Sequence, residues 1–164
     1  MAVGEPRERL RDVYWIGGGS GAGKSTIARR LAARHGLRLY ATDEVMADHG
    51  RRSSPVDSPF MAGFAAMDMD ERWVSRSPQT MLETFGWFRG EGFGLIVEDL
   101  LRLPAGPGVI AEGFRLLPRL VRPLLAGPGQ ASGSARPRAS AAPRSPAGAR
   151  CSRSPGRPAI RTRP

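Results

Sequence analysis

The chain of 164 residues holds one cysteine, Cys151, so an internal disulfide and the disulfide-stapled scaffolds of small secreted proteins are excluded. A reducing, cytoplasmic setting is the expectation. No apolar run approaches the roughly 20 residues that a membrane-spanning helix needs. The N-terminus, with Glu5, Arg7, Glu8 and Arg9, lacks the apolar core of a secretory signal. Lysine is almost absent: Lys24 is the only one among 25 basic residues. With abundant Ala, Gly, Pro and Arg, this is the mark of GC-rich coding DNA, which supplies arginine wherever either cation serves. The retained lysine then marks a place where a compact ammonium is needed and a planar guanidinium will not do. Residues 127–164 lack acids, Leu, Val, Met and aromatics, with Ile160 their one large aliphatic, so this stretch cannot build a core. It carries eight arginines. The formal net charge of +10 therefore divides unevenly, because the first 126 residues hold 17 basic and 15 acidic groups, a net of +2. The basicity belongs to the tail, and the folded part has no charge signature of a nucleic-acid binder.

Asp12 to Arg34 is the most informative stretch. Val13-Tyr14-Trp15-Ile16 is β-branched and aromatic, and predicts a buried strand. It leads into Gly17-Gly18-Gly19-Ser20-Gly21-Ala22-Gly23-Lys24-Ser25-Thr26, in which Gly18, four residues, Gly23, Lys24 and Ser25 fill the G-x-x-x-x-G-K-[ST] template of the phosphate-binding loop, Walker A. Glycines let successive N–H groups converge on phosphate oxygens, and the following helix adds its positive end. Lys24 is expected at the β- and γ-phosphates, Ser25 on Mg²⁺ and Thr26 at the α-phosphate. Gly17-x-Gly19-x-x-Ala22 also meets a loose dinucleotide pattern, with Asp43 at a plausible distance, but Lys24-Ser25 favours a nucleoside triphosphate, ATP.

Lys24 to His35 reads as a helix with Ile27, Ala28, Leu31 and Ala32 on its inner face and Gly36 as its stop. Leu37 to Ala41 is a second strand. Thr42-Asp43-Glu44 then lies at the carboxyl edge where open α/β sheets hold ligands, although Thr42 or Asp43 serves equally as an N-cap for a helix through Val45 and Met46. From Arg51 to Arg76 a polar region with a short helix over Met61 to Trp73 is either a substrate-facing lid or a solvated face, the latter the commoner origin of such charge density. Ser77-Pro78 starts another helix, with Met81, Leu82, Phe85 and Phe88 inward. Gly90, Gly92 and Gly94 end it, and a helix with Leu95, Ile96, Leu100 and Leu101 follows. Val109-Ile110-Ala111-Glu112-Gly113 predicts a third buried strand ending in a carboxylate, so Glu112 is the candidate Walker B acid holding the metal. Gly113 is expected to leave room beside the phosphates. Arg115 is expected to begin a helix running to about Leu125.

Gly18-x₄-Gly23-Lys24-Ser25-Thr26, Thr42-Asp43 and Val109 to Gly113 together resemble the small P-loop kinases of metabolites and nucleotides, the group containing shikimate kinase, adenylate kinase, chloramphenicol phosphotransferase and the zeta toxins. The resemblance covers roughly residues 10–126. It implies a three-layer α/β P-loop NTPase fold with a parallel sheet in the order 2-3-1-4-5, transfer of the γ-phosphoryl group of ATP to a small-molecule acceptor, and Asp43 beside that acceptor. The arginine-bearing lid and adenine loop of those folds have no counterpart in the sequence, and strands four and five are expected to be missing. Two other functions remain open: a nucleotide-binding regulatory protein without transferase activity, and a nucleic-acid binder acting through the tail.

The expected domains are residues 1–126, the P-loop domain, and residues 127–164, a disordered Arg/Pro/Ala/Gly/Ser-rich tail. Such a tail is a linker, a basic arm, or out-of-frame GC-rich DNA. The last reading has a rough test in the genetic code. Read from the third base of each codon, Ala131-Ser132-Gly133-Ser134-Ala135-Arg136-Pro137-Arg138-Ala139-Ser140-Ala141-Ala142-Pro143-Arg144 can encode Val-Trp-Leu-x-Pro-Thr-Pro-x-Phe-Arg-Arg-Ala-Ala, which resembles a strand, a turn and a helix. A chain lacking strands four and five is expected to leave the first strand as a bare edge, with Tyr14, Trp15 or their neighbours uncovered, and to lose regular structure after about Leu125.

Overall fold

The computed structural model describes residues 5–134. Most of the expected tail, and with it the expectation of disorder over 135–164, lies outside the described residues. A one-turn helix, α1 (Pro6–Arg9), precedes β1 (Val13–Gly18), α2 (Lys24–His35) and β2 (Arg38–Ala41). Six helices follow: α3 (Met46–Arg52), α4 (Pro59–Ala66), α5 (Met69–Trp73), α6 (Pro78–Thr84), α7 (Gly86–Arg89) and α8 (Phe93–Arg102). Then come β3 (Val109–Gly113), α9 (Pro118–Val121), a 3₁₀ turn (Arg122–Leu124) and β4 (Ala131–Ser134).

The four strands form a parallel sheet in the order β2-β3-β1-β4. Because side chains alternate along a strand, β1 and β3 each feed two cores. Val13, Trp15, Val109 and Ala111 face one way and pack with Ile96, Leu100, Leu116 and Val121. Ile16 and Ile110 face the other way, onto Ala28 and Ala32 of α2. A parallel sheet carries such cover on both sides because its crossover connections lay helices on its faces, and the side chains on both faces are then apolar. Helix α2 stops as expected: Gly36 takes φ 65° and its N–H donates to the Ala32 carbonyl.

Several expectations are corrected. A fourth strand is present, over residues 131–134, so β1 is an interior strand and regular structure extends beyond Leu125. Residues as small as Ala, Ser and Gly can complete it because β1 supplies the backbone template, whatever their own strand preference. No fifth strand lies among the described residues. The cover of β1 is uneven: Trp15 is 1 % exposed, yet Tyr14 is 44 % exposed, and on α2 Ile27 and Leu31 are 47 and 37 % exposed. The expected helix over Met61 to Trp73 is two, split at Asp68, whose carboxylate accepts the Glu71 N–H at 2.8 Å as an N-cap. Ser77 caps α6 as expected, accepting from the Thr80 N–H, but Leu82 is exposed and Trp87 is the buried aromatic of that region. Gly94 sits inside α8, and the break falls at Gly90 and Gly92, both at positive φ. No helix among the described residues is long and apolar enough to cross a membrane.

One polar cluster ties the helices inserted after β2 to the sheet. Asp99 on α8 accepts from Tyr40 Oη of β2 at 2.8 Å and from Arg52 of α3 at 2.8 Å, and lies 2.7 Å from Nε2 of fully buried His49. Arg52 also reaches Glu98 at 2.9 Å. Burial pushes the Asp99 carboxyl up, but the bonds from Arg52, His49 and Tyr40 outweigh it and hold the group below its ordinary range. Burial and the same carboxylate push the Tyr40 phenol up. A carboxyl depressed in the native state contributes stability that is present above its unfolded value, about 3.9, and lost as pH falls through the native one. Thermal midpoints of the full chain should therefore fall as pH drops below about 5. Asp99→Asn is expected to be less stable at neutral pH and to show a flatter acid limb; an unchanged acid limb would remove Asp99 from this role.

Candidate functional site

The glycine loop joins β1 to α2 over residues 19–23. Gly18 at φ 138°, Gly21 at 71° and Gly23 at 80° occupy backbone conformations that L side chains rarely adopt, which is why glycines stand there. The loop closes on itself through the Ala22 N–H and the Gly19 carbonyl, 3.3 Å apart. Lys24 is buried, and its Nζ donates to the same Gly19 carbonyl at 2.9 Å. The ammonium is thus folded over the loop rather than extended into solvent. Gly19, Ser20, Gly21, Gly23 and Thr26 are exposed, and Ala22 and Ser25 half-buried, around this turn. Gly17 is tight for a different reason: a Cβ there would stand 2.4 Å from the Leu116 carbonyl oxygen.

Strand β3 lies between the loop strand and β2, and its carboxylate falls at the same level as both strand ends. Glu112 is paired with Ile16 of β1 and with Ala41 of β2. It is 3 % exposed, and its Oε2 has no hydrogen-bond partner among the described residues. A buried carboxylate oxygen without a donor is costly. The Thr42 N–H donates to the Glu112 carbonyl at 2.9 Å, bringing the start of the Thr42-Asp43-Glu44 turn against the same strand end. Thr42 is fully buried and Asp43 exposed. The capping alternative is not taken up: α3 starts at Met46 with Val45 as N-cap, and neither Thr42 nor Asp43 caps it through its side chain.

Gly113 serves a purpose other than the one expected. A Cβ there would lie 1.8 Å from Thr42 Oγ1, so the glycine lets β2 and β3 converge at their carboxyl ends rather than clearing space for phosphate. The helix expected from Arg115 starts only at Pro118, and Arg115 is turned inward instead. Its guanidinium lies 3.8 Å from the Trp87 ring centroid and donates to the Gly92 carbonyl at 3.1 Å and the Thr42 carbonyl at 3.4 Å. It is 2 % exposed, and burial draws it down to about 10, against the fields of Tyr40, Asp43 and Asp99, which push it up. Arg115 thus connects the strand carrying Glu112, the turn carrying Asp43 and the first turn of α8. Sequence reasoning missed it because an arginine after a strand looks like any solvated cation; neither the Trp87 partner nor the burial has a periodic signal.

A cavity of about 730 Å³ opens beside the loop, with Gly18, Gly19 and Ser20 on one side and Phe88, Phe114 and Leu116 among its apolar walls. Lys24, Ser25, Thr26, Asp43 and Glu112 do not line it. The structure therefore gathers the loop, Glu112 and the Thr42-Asp43 turn at one sheet edge, while the large apolar hollow adjoins only the first half of the loop.

Gly113→Ala is expected to destabilise the fold by about 2–4 kcal/mol, because the methyl group collides with Thr42 at an unfavourable φ. Adding Thr42→Ala should recover part of the loss in urea denaturation; no recovery would mean that the backbone, not the contact, sets the cost. Compared with family models, with curated proteins and with solved structures, the chain matches none.

Proposed function

We propose that the chain binds ATP with Mg²⁺ at the glycine loop and transfers the γ-phosphoryl group to a small-molecule acceptor inside the cell. The observation that carries this reading is a buried lysine, Lys24, at the start of the helix that follows β1, together with a buried carboxylate on the adjacent parallel strand β3, Glu112, whose Oε2 has no hydrogen-bond partner among the described residues. The motif resemblance to the small P-loop kinases and the α/β parallel sheet in the order β2-β3-β1-β4 both accord with it. The backbone N–H groups of Gly19 to Ser25 would hold the phosphates, and Lys24 would leave the Gly19 carbonyl for the β- and γ-oxygens. Ser25 and Glu112 would hold Mg²⁺, which when bound neutralises charge building on the transferring group. Among the described residues no three His, Cys, Asp or Glu side chains form a cage, which suits an ion that keeps waters and phosphate oxygens as most of its ligands. Asp43 would accept the proton of an acceptor hydroxyl as its oxygen bonds to the γ-phosphorus and the bridging bond to ADP breaks.

Calorimetric titration of the full chain with ATP and Mg²⁺ should give saturable binding. Lys24→Ala should weaken it about tenfold to a hundredfold, the scale of one charge-assisted contact. Equal affinity in both proteins contradicts the loop assignment. Glu112→Gln should lose the Mg²⁺-dependent part of the affinity and keep the Mg²⁺-free part. Asp43→Asn should bind ATP normally yet lose acceptor-stimulated ADP release in a screen of sugars, nucleosides, aminoglycosides and small acids. If ATP binds and no acceptor raises turnover above water, the regulatory function replaces the kinase.

A further inference from the structure

We propose that the coding frame is lost at the Gln130–Ala131 junction, and that the side chains encoded one base over from the present frame are those that complete the sheet. Gln130 belongs to the fold. Its Nε2 donates to the carbonyls of Leu10 at 2.7 Å, Arg11 at 2.9 Å and Val13 at 2.9 Å, its Oε1 accepts the Ala126 N–H at 2.7 Å, and its carbonyl accepts the Trp15 N–H at 2.8 Å. A side chain bonded at each end in a buried site is what a selected sequence looks like.

The next residues have the opposite character. Ala131, Ser132 and Gly133 form a strand paired to β1, yet all three are exposed, and a Cβ added at Gly133 would meet nothing within 4 Å. Hollows lie on both sides of this strand. The 730 Å³ cavity borders Trp15, Leu116 and Gly133, while one of about 440 Å³ borders Tyr14, Ile27, Leu31 and Ser132. The second hollow explains why the inner face of α2 is half uncovered. A strand with empty space on both faces among the described residues, next to exposed isoleucine and leucine, lacks its side chains rather than its backbone.

Codons allowed by the genetic code can supply them in register. Restoring one base after Gln130 leaves one residue at position 131 and then permits Val at 132 and Trp at 133. Ser132 pairs with Ile16, and Gly133 with Gly17. Paired residues of parallel strands share a face, so the valine would fall with Ile16 over Ile27 and Leu31, and the tryptophan with Gly17 into the hollow beside Leu116. With those codons each hollow would receive an apolar side chain, whereas a slip of one residue would exchange the two faces.

Chromosomal DNA read across the codons from Ala126 to Ser132 is expected to contain one base more than the present sequence. In parallel, the full chain as it stands, its Ser132→Val/Gly133→Trp variant and the product of the restored frame can be compared by thermal melting and by binding of a hydrophobic dye. The dye is expected to bind the present chain, less the double variant and least the restored product, whose midpoint should rise by about 10 °C or more. An uninterrupted read in the present frame overturns the proposal. So does a present chain that ignores the dye, whether as a monomer or as a dimer hiding Ile27 and Leu31, and so does a restored product no more stable than the present one.

Discussion

The hydrogen-bonded pairing of β1 with β3 is the constraint on which the rest depends. Ile16 opposite Glu112 fixes the strand that feeds the glycine loop beside the strand that ends in a carboxylate, both pointing to the same edge. Close approach at that edge has two steric conditions: Gly17 must pass the Leu116 carbonyl, and Gly113 must pass Thr42. Neither condition concerns a ligand. They set how near the loop, the acid and the Thr42-Asp43 turn come to one another, and the proposed function is built on that convergence.

Besides the packing of Ile96 and Leu100 of α8 in the core, two polar centres join the helices inserted between β2 and β3 to this edge. Asp99 gathers Tyr40, His49 and Arg52, and Arg115 clasps Trp87, Gly92 and Thr42. Both centres sit next to the strand ends. A shift of α3 or α8 would therefore be felt at Thr42 and Asp43 before it reached the centre of the sheet.

The sequence carried the core and the loop because both follow short-range rules. The unbroken apolar runs of Val13 to Ile16 and Val109 to Ala111, the spacing of Ala28 and Ala32, and the stop at Gly36 depend on neighbours within a few residues. Glu112 was legible for the same reason, as an acid at the end of an apolar run. Arg115 and Trp87 were not, since their pairing spans 28 positions and neither residue type announces burial. Strand β4 was missed because Ala-Ser-Gly-Ser has no strand preference of its own and is held by the β1 template. Leu82 failed in the other sense, an apolar residue at helical spacing that nothing among the described helices covers.

Hydrogen–deuterium exchange of the full chain with and without ATP and Mg²⁺ addresses the central claim directly. If the loop and the carboxylate form one nucleotide site, amides of residues 18–26 and 109–113 gain protection together, and the gain in the second segment requires Mg²⁺. Protection in neither segment, or protection confined to residues 135–164, would contradict a nucleotide site at the carboxyl edge of β1 and β3.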